Sequence, residues 1–409
     1  MGRLVYPLVS SLVIMLVLVG FPAAAPAPAI DHVVVIVQEN HTFDNFFGFY
    51  PGANGLQNST APIFHDTSNQ VYENQSIGGY VGHPGNYGYF TCADIPYYCK
   101  LANSGVLFDN FFSVAPVASL PNHMAVIAGS TLGFHSDWNT SGQAFPWRSN
   151  VTILDEMNAA GVSWNYNDCN YNECPLSFFT QSPTWANDLG SATTFFGQID
   201  SKTLPSVSFV MPISDDASDE PPALLSAGQS WVQNIIDGLN SSGYLRNTVV
   251  LLTWDDSGGW YDHVTPPGDY GYRVPMIMLA PFGPKGAIDN SFSSFYSIPA
   301  LIESVFHLPC MHDDCTASDL ISSLSGVSST SRSSSSTQPP STVQTPTAIE
   351  ATSSTACQAW ATAYWGPLWG CESLSSSSAQ PATTTTTSTA CQAWATAYWG
   401  PYWGCEDLG

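Results

Sequence analysis

The stretch Thr248 to Pro267 reads T-V-V-L-L-T-W-D-D-S-G-G-W-Y-D-H-V-T-P-P and restricts the fold more than any other part of the chain. Val249 to Thr253 is apolar and β-branched, the composition of one buried strand. It runs into adjacent carboxylates, Asp255 and Asp256. At the end of a buried strand such a pair repels itself and loses hydration. A divalent cation offsets both costs, and a proton offsets them in part. Open α/β sheets place ligands at the C-terminal ends of their strands. Gly258-Gly259 permit a tight turn that brings Asp262-His263 back toward the carboxylates. The bland alternative is a solvated Asp-Asp turn closing an edge strand.

A second apolar run, Val33 to Val37, leads directly into Q-E-N-H-T-F-D-N-F-F-G. Glu39 and Asn40 there offer two hard oxygen donors at a strand end. Ser119 precedes L-P-N-H-M-A-V-I-A-G, with the signature of an N-cap: Pro121 is tolerated in the first turn, and Gly129 stops the helix. A serine at a helix N-terminus sits where free N–H groups and the dipole favour an anion. That suits a nucleophile attacking phosphate, although most such serines only cap.

Further strands are expected at Val106 to Val114, Val162 to Tyr166, Leu204 to Pro212 and Arg273 to Ala280. Helices are expected at Asp94 to Asn103, Thr152 to Ala160, Gln229 to Leu239 and Ile298 to Phe306. The alternation indicates a mostly parallel sheet covered on both faces. Pro51 to Tyr89 reads as a long irregular loop carrying His65 and His83.

Residues 1–29 read as an export signal: Arg3, the apolar Leu12 to Val19, then Ala23, Ala25, Ala27 and Ala29. An uncleaved anchor is the alternative. A secreted or cell-surface location agrees with the cysteines, which fall in close pairs: Cys92 with Cys99, Cys169 with Cys174, Cys310 with Cys315, Cys357 with Cys371, and Cys391 with Cys405. Five local disulfides are expected, and the absence of Cys-x-x-Cys argues against structural zinc. Sequons at Asn58, Asn74, Asn139, Asn150 and Asn240 fit a glycoprotein.

The 409 residues include 32 acidic against 8 basic, which argues against nucleic acid as a partner. So few cations also suit an acidic habitat, because protonating the carboxylates leaves little positive self-repulsion. The globular pattern, from residue 30, ends near Leu324. Residues 325–355 form a Ser/Thr/Pro-rich linker. Two copies of A-C-Q-A-W-A-T-A-Y-W-G-P-x-W-G-C-E follow, in residues 356–373 and 390–409, around a Ser/Thr spacer at 374–389. Their tryptophans either stack on sugar rings or a cell-envelope partner, or bury one another behind a disulfide staple.

Taken together, these segments resemble the phosphoesterase family of bacterial phospholipases C and acid phosphatases, within the alkaline phosphatase superfamily. E-N-H-T-F-D-N-F-F-G, D-I-P-Y-Y-C-K-L-A, S-L-P-N-H, T-W-D-D-S-G-G-W-Y-D-H-V-T-P-P and G-Y-R-V-P match its motifs in order, over about residues 30–322. The resemblance implies an alkaline-phosphatase-like three-layer α/β/α sandwich. It implies Glu39, Asn40, Ser119, Asp255 and Asp256 as ligands of a divalent metal. Ser119 would also be the nucleophile that forms a phosphoseryl intermediate, and His263 would line the pocket and assist the leaving group. Asn122 and His83 are further pocket candidates.

Two family histidines are replaced. S-D-E-P-P carries Glu220 in place of one, and Ser294-Phe295-Tyr296-Ser297 replaces a D-H-T-S pattern. Asp216, Asp219 or Glu220 is therefore a candidate acid. The oxygen-rich ligand set leans toward Mg, Mn or Ca, with Zn and Fe open. The expected activity is hydrolysis of a small phosphate ester or phospholipid. An acid-phosphatase-like monoesterase is favoured over a phospholipase C, with a non-catalytic surface protein as the third reading.

Overall fold

The strands are His32–Gln38 (β1), Val106–Phe108 (β2), Trp164–Asn167 (β3), Leu189–Gly190 (β4), Val207–Val210 (β5), Thr248–Trp254 (β6), Met276–Leu279 (β7) and Ala287–Asp289 (β8). In the computed structural model they form one sheet, in the order β8-β2-β7-β6-β1-β5-β3-β4. The structure describes Gly2 and residues 30–324 apart from 67–83, 117, 138–147, 169–173, 213–214 and 221–222. The leader, His83, Cys169, the linker and both aromatic units lie outside the described residues. The sheet belongs to the first of two compact units, Met1–Ser341 and Thr342–Gly409.

Only β7 runs against its neighbours, β6 and β2. The other pairings are parallel. β1 and β6 lie side by side at the centre, and Val33 to Val37 are wholly buried. Burial on both faces is why these strands read as continuous apolar runs rather than alternating ones.

The main helices are Phe43–Phe47 (α1), Pro96–Ser104 (α2), Ser119–Ala128 (α3), Ile153–Ala160 (α4), Ala192–Ser201 (α5), Asp215–Ser218 (α6), Leu225–Ser242 (α7) and Ser297–Phe306 (α8). α2, α5 and α6 pack on α7, while α4 and α8 pack on α3. Two such sets flanking a mostly parallel sheet make the expected three-layer α/β fold. Local chemistry sets the ends: a Thr152–Asp155 capping box opens α4, and left-handed Gly161 closes it.

Several expectations change. The strand expected over Val106 to Val114 is broken at Asp109, whose carboxylate accepts the Asn54 N–H. Beyond the break Phe111–Phe112 pairs with Ser293–Ser294 in a separate ribbon. The irregular loop contains a short parallel pair, Phe64–His65 with Gly88–Tyr89. Helix α5 went unread, because its Thr, Phe and Gly residues are weak helix formers outside their capped context.

The disulfides Cys92–Cys99 and Cys310–Cys315 form as expected, and Cys174 is also disulfide-bonded. Its expected partner Cys169 is outside the described residues. So are the two staples expected in the aromatic units, Cys357 with Cys371 and Cys391 with Cys405. The described fold therefore bears on two of the five expected pairings in full and on a third through Cys174 alone.

Candidate active site

The β1–β6 register builds the site. Gln38 pairs with Trp254 at the last rung, so Glu39-Asn40 and Asp255-Asp256 leave adjacent parallel strands side by side. The Asp255 N–H donates to the Gln38 carbonyl at 2.9 Å, and the Asn40 N–H donates to Asp255 Oδ1 at 3.0 Å. Asn40 takes a left-handed φ of 59°, which asparagine tolerates better than most residues. Gly258 (φ 55°) passes so close that a Cβ there would lie 2.7 Å from the Asn40 Cβ. Its N–H donates to Asp256 Oδ1 at 2.7 Å. The turn thus needs glycine and holds one of the paired carboxylates.

Helix α3 supplies the third side. Ser119 is its first residue rather than its cap, and its Oγ donates to Glu39 Oε2 at 3.3 Å. One turn on, His123 Nε2 lies 3.6 Å from Glu39 Oε1. Glu39, His123 and Asp255, all buried, each present a ligand atom within 4.8 Å of the others. Asp255 Oδ2 is buried with no hydrogen-bond partner. An ionised oxygen in that state costs several kcal/mol unless a cation meets it. The donors therefore fit a divalent metal. Burial lowers the His123 pKa, against a smaller pull from Asp255, and so favours a neutral imidazole able to act as a ligand.

His123 and Asp137 are the residues sequence reasoning missed. His123 was legible as the i+4 neighbour of Ser119 on one helical face. Asp137 had no local signal, since it returns from the loop after α3. Its Oδ1 accepts the Leu120 N–H at 2.9 Å and so performs the capping expected of Ser119.

Other candidates sit elsewhere. Asn122 spends its amide on the backbone ahead of α3, accepting from Val114 and Ala115 and donating to Ala115 and Ala118. It clamps the loop ahead of α3. His263 joins a second cluster: its Nδ1 lies 2.6 Å from Asp44 Oδ2. There Arg273, fully buried, binds Asp262 through Nε at 2.9 Å and Asp44 through Nη2 at 3.0 Å. Burial works against the Arg273 charge, but Asp262 and Asp44 more than restore it. The turn thus carries His263 to Asp44.

Asp219 accepts from Tyr98 Oη at 2.6 Å and Trp254 Nε1 at 3.1 Å, and burial pushes its pKa up to about 7. A Cβ on Gly228 would lie 1.9 Å from its Oδ1, so that helix glycine makes its room. Asp219 braces the residue before Asp255. Glu220 is half-buried beyond it, its N–H bound by Ser218 Oγ, and Asp216 lies in α6. His41 stacks between Phe46 and Trp260, and burial pushes its pKa down to about 4, so it anchors the Asn40 turn as a neutral ring.

The model of the phosphoesterase family matches residues 30–80 and 64–309. Non-specific phospholipase C1 of Arabidopsis thaliana is 27% identical over 52% of this chain, which spans only 46% of that protein. Non-specific phospholipase C6 of the same plant is 27% identical over 72% of this chain and 73% of its own length. An Aspergillus fumigatus acid phosphatase is 26% identical over 54% of this chain and 53% of its own. Among solved structures, an alkaline phosphatase superfamily protein from Vibrio parahaemolyticus aligns at TM-score 0.41 and 12% identity over 68% of each chain. With the segments that carry Glu39, Ser119 and Asp255 brought together and the family model matching most of residues 30–309, the chain belongs to the phosphoesterase family.

Proposed function

We propose that the protein is an exported, metal-dependent phosphoric ester hydrolase with Ser119 as its nucleophile. One observation carries this reading: Ser119 Oγ meets Glu39, from one strand end, beside the unpartnered Asp255 Oδ2 from the next. Membership of a family whose relatives are named phospholipases C and acid phosphatase supports ester hydrolysis.

Glu39 Oε2 orients the serine hydroxyl by accepting its hydrogen bond, leaving an oxygen lone pair free to attack. The Oγ–P bond forms as the bond from phosphorus to the leaving oxygen breaks, and the proton lost from Oγ ends on that oxygen, which departs as the alcohol. Water then attacks the phosphoserine from the opposite face and returns the hydrogen to Oγ. The balance is ester plus water giving phosphate plus alcohol, and two inversions give net retention at phosphorus.

Glu39, Asn40, Asp255, Asp256 and His123 would hold the cation, which supplies Lewis-acid charge to lower the serine pKa and neutralise phosphoryl oxygens. The imidazole shifts the favoured ion from the hard oxygen-only group toward Mn, Fe or Zn. The test is S119A, assayed on an ester panel beside elemental analysis. Turnover is expected to fall by about a thousandfold or more while the protein stays folded. Equal hydrolysis by S119A and wild type overturns the reading.

A further inference from the structure

One short run, Ala217 to Asp219, holds both strand ends that carry the carboxylates. It presents three successive backbone oxygens to the segment that leaves β1. The Ala217 carbonyl accepts from Gln38 Nε2 at 3.2 Å, the Ser218 carbonyl from the Glu39 N–H at 2.8 Å, and the Asp219 carbonyl from His41 Nε2 at 3.1 Å. The Asp219 side chain serves the other strand, where its Oδ2 accepts from Trp254 Nε1 at 3.1 Å. The residues that flank Glu39 and Asn40, and the residue before Asp255, are thus tied to one segment.

Tyr98 closes the arrangement. Its Oη donates to the same Asp219 Oδ2 at 2.6 Å and accepts from Gln38 Nε2 at 3.3 Å. Gln38 and Trp254 are partners across β1 and β6, so Gln38, Tyr98, Asp219 and Trp254 form a closed ring. Its two strand members each precede a carboxylate donor, Glu39 or Asp255. All four side chains are buried, so bulk water does not make good a lost bond. A tyrosine that only filled the core would need one partner for its hydroxyl. This hydroxyl joins two, one serving each strand. Tyr98 is itself fixed without using any metal donor: Cys99 beside it is disulfide-bonded to Cys92, and the Tyr97 N–H donates to Gln229 Oε1 of α7 at 2.9 Å. Gly228, next to Gln229, leaves the space that Asp219 fills.

We propose that Tyr98 is a positioning residue for the divalent cation: its hydroxyl sets the spacing between Glu39 and Asp255, which lie on different strands, and so sets how tightly they grip the ion. It touches neither metal nor substrate. The proposal rests on the reading of Glu39 and Asp255 as metal donors. Its physical reason is geometric. Coordination tolerates a displacement of only about 0.2 Å in a donor. A link that fixes donors from two strands at once therefore contributes to affinity, and losing such a link typically costs about tenfold to a hundredfold.

The experiment titrates divalent manganese and, in parallel, divalent zinc into the full chain after EDTA treatment, with Kd read by calorimetry and folding checked by thermal melts. Y98F removes one oxygen and is expected to weaken the tighter of the two ions about tenfold or more. Y50F is the control for a merely structural role. The Tyr50 hydroxyl donates to Asn103 Oδ1 at 2.7 Å, outside the ring, and its loss is expected to leave Kd at the wild-type value. Q38M breaks the same link from β1 and is expected to repeat the Y98F loss, which keeps the test decisive if Y98F fails to fold. A Kd in Y98F or Q38M equal to wild type, or an equal weakening in Y50F, overturns the proposal. Wild type that binds neither ion refutes the metal reading itself, and the proposal with it.

Discussion

The same two segments build two carboxylate clusters with opposite fates. The run after β1 provides Glu39 to one and Asp44 to the other. The run after β6 provides Asp255 to one, Asp262 and His263 to the other. In the second cluster the balancing cation belongs to the chain: Arg273 reaches Asp262, Asp44, and the carbonyls of Asn54 and Asp109, with its guanidinium 4.6 Å from the centre of the Phe43 ring. In the first, Asp255 Oδ2 is left without a partner. Acidic clusters alone therefore do not identify a metal centre. What distinguishes them is whether the fold supplies its own cation.

The sharpest way to break this comparison is to neutralise Asp255. D255N is expected to lose about a thousandfold or more in kcat/KM. In EDTA it should be at least as heat-stable as wild type, since its buried charge is gone. A D255N protein that is less stable than wild type in EDTA makes the first cluster structural after all. Removing the internal cation should do the reverse. R273M strands buried carboxylates and is expected to destabilise by about 3–5 kcal/mol, read from urea unfolding, with no rescue by added divalent metal. An unchanged midpoint would show that the second cluster needs no cation.

The smallest effect tests His263. Its hydrogen bond to Asp44 raises its pKa, so the charged form is favoured in the folded state. That stabilisation is complete below the unfolded pKa of about 6.5 and is lost as pH rises through the higher folded value. The ring is partly exposed, so H263N is expected to cost only about 1 kcal/mol at pH 6 and little at pH 9. Thermal melts of wild type and H263N across that range should converge as pH rises. A loss of stability that is constant with pH would assign His263 to packing.

Much of the site was legible because its ligands sit at the ends of readable elements. Glu39-Asn40 and Asp255-Asp256 each end a buried strand, and Ser119 begins a helix whose stop is a glycine. The partner of His263 was not legible, because a Gly-Gly turn states that the chain bends, not where the next side chain goes. Its direction follows from the hydrogen bonds to Asp44. Arg273 read as part of a strand, and nothing local announces that it neutralises carboxylates from two distant segments.

The sequence by itself determined the buried strands, the oxygen donors at their ends and the serine at the start of α3. These are properties of short windows, governed by burial and capping. Only the tertiary structure decided that β1 and β6 pair in parallel with Gln38 beside Trp254, that His123 joins the ligands, and that Asp137 returns to the helix end. Those relations join residues far apart along the chain. Pairing register and the sharing of charge between segments are settled by packing the whole sheet, and no window of sequence contains both partners.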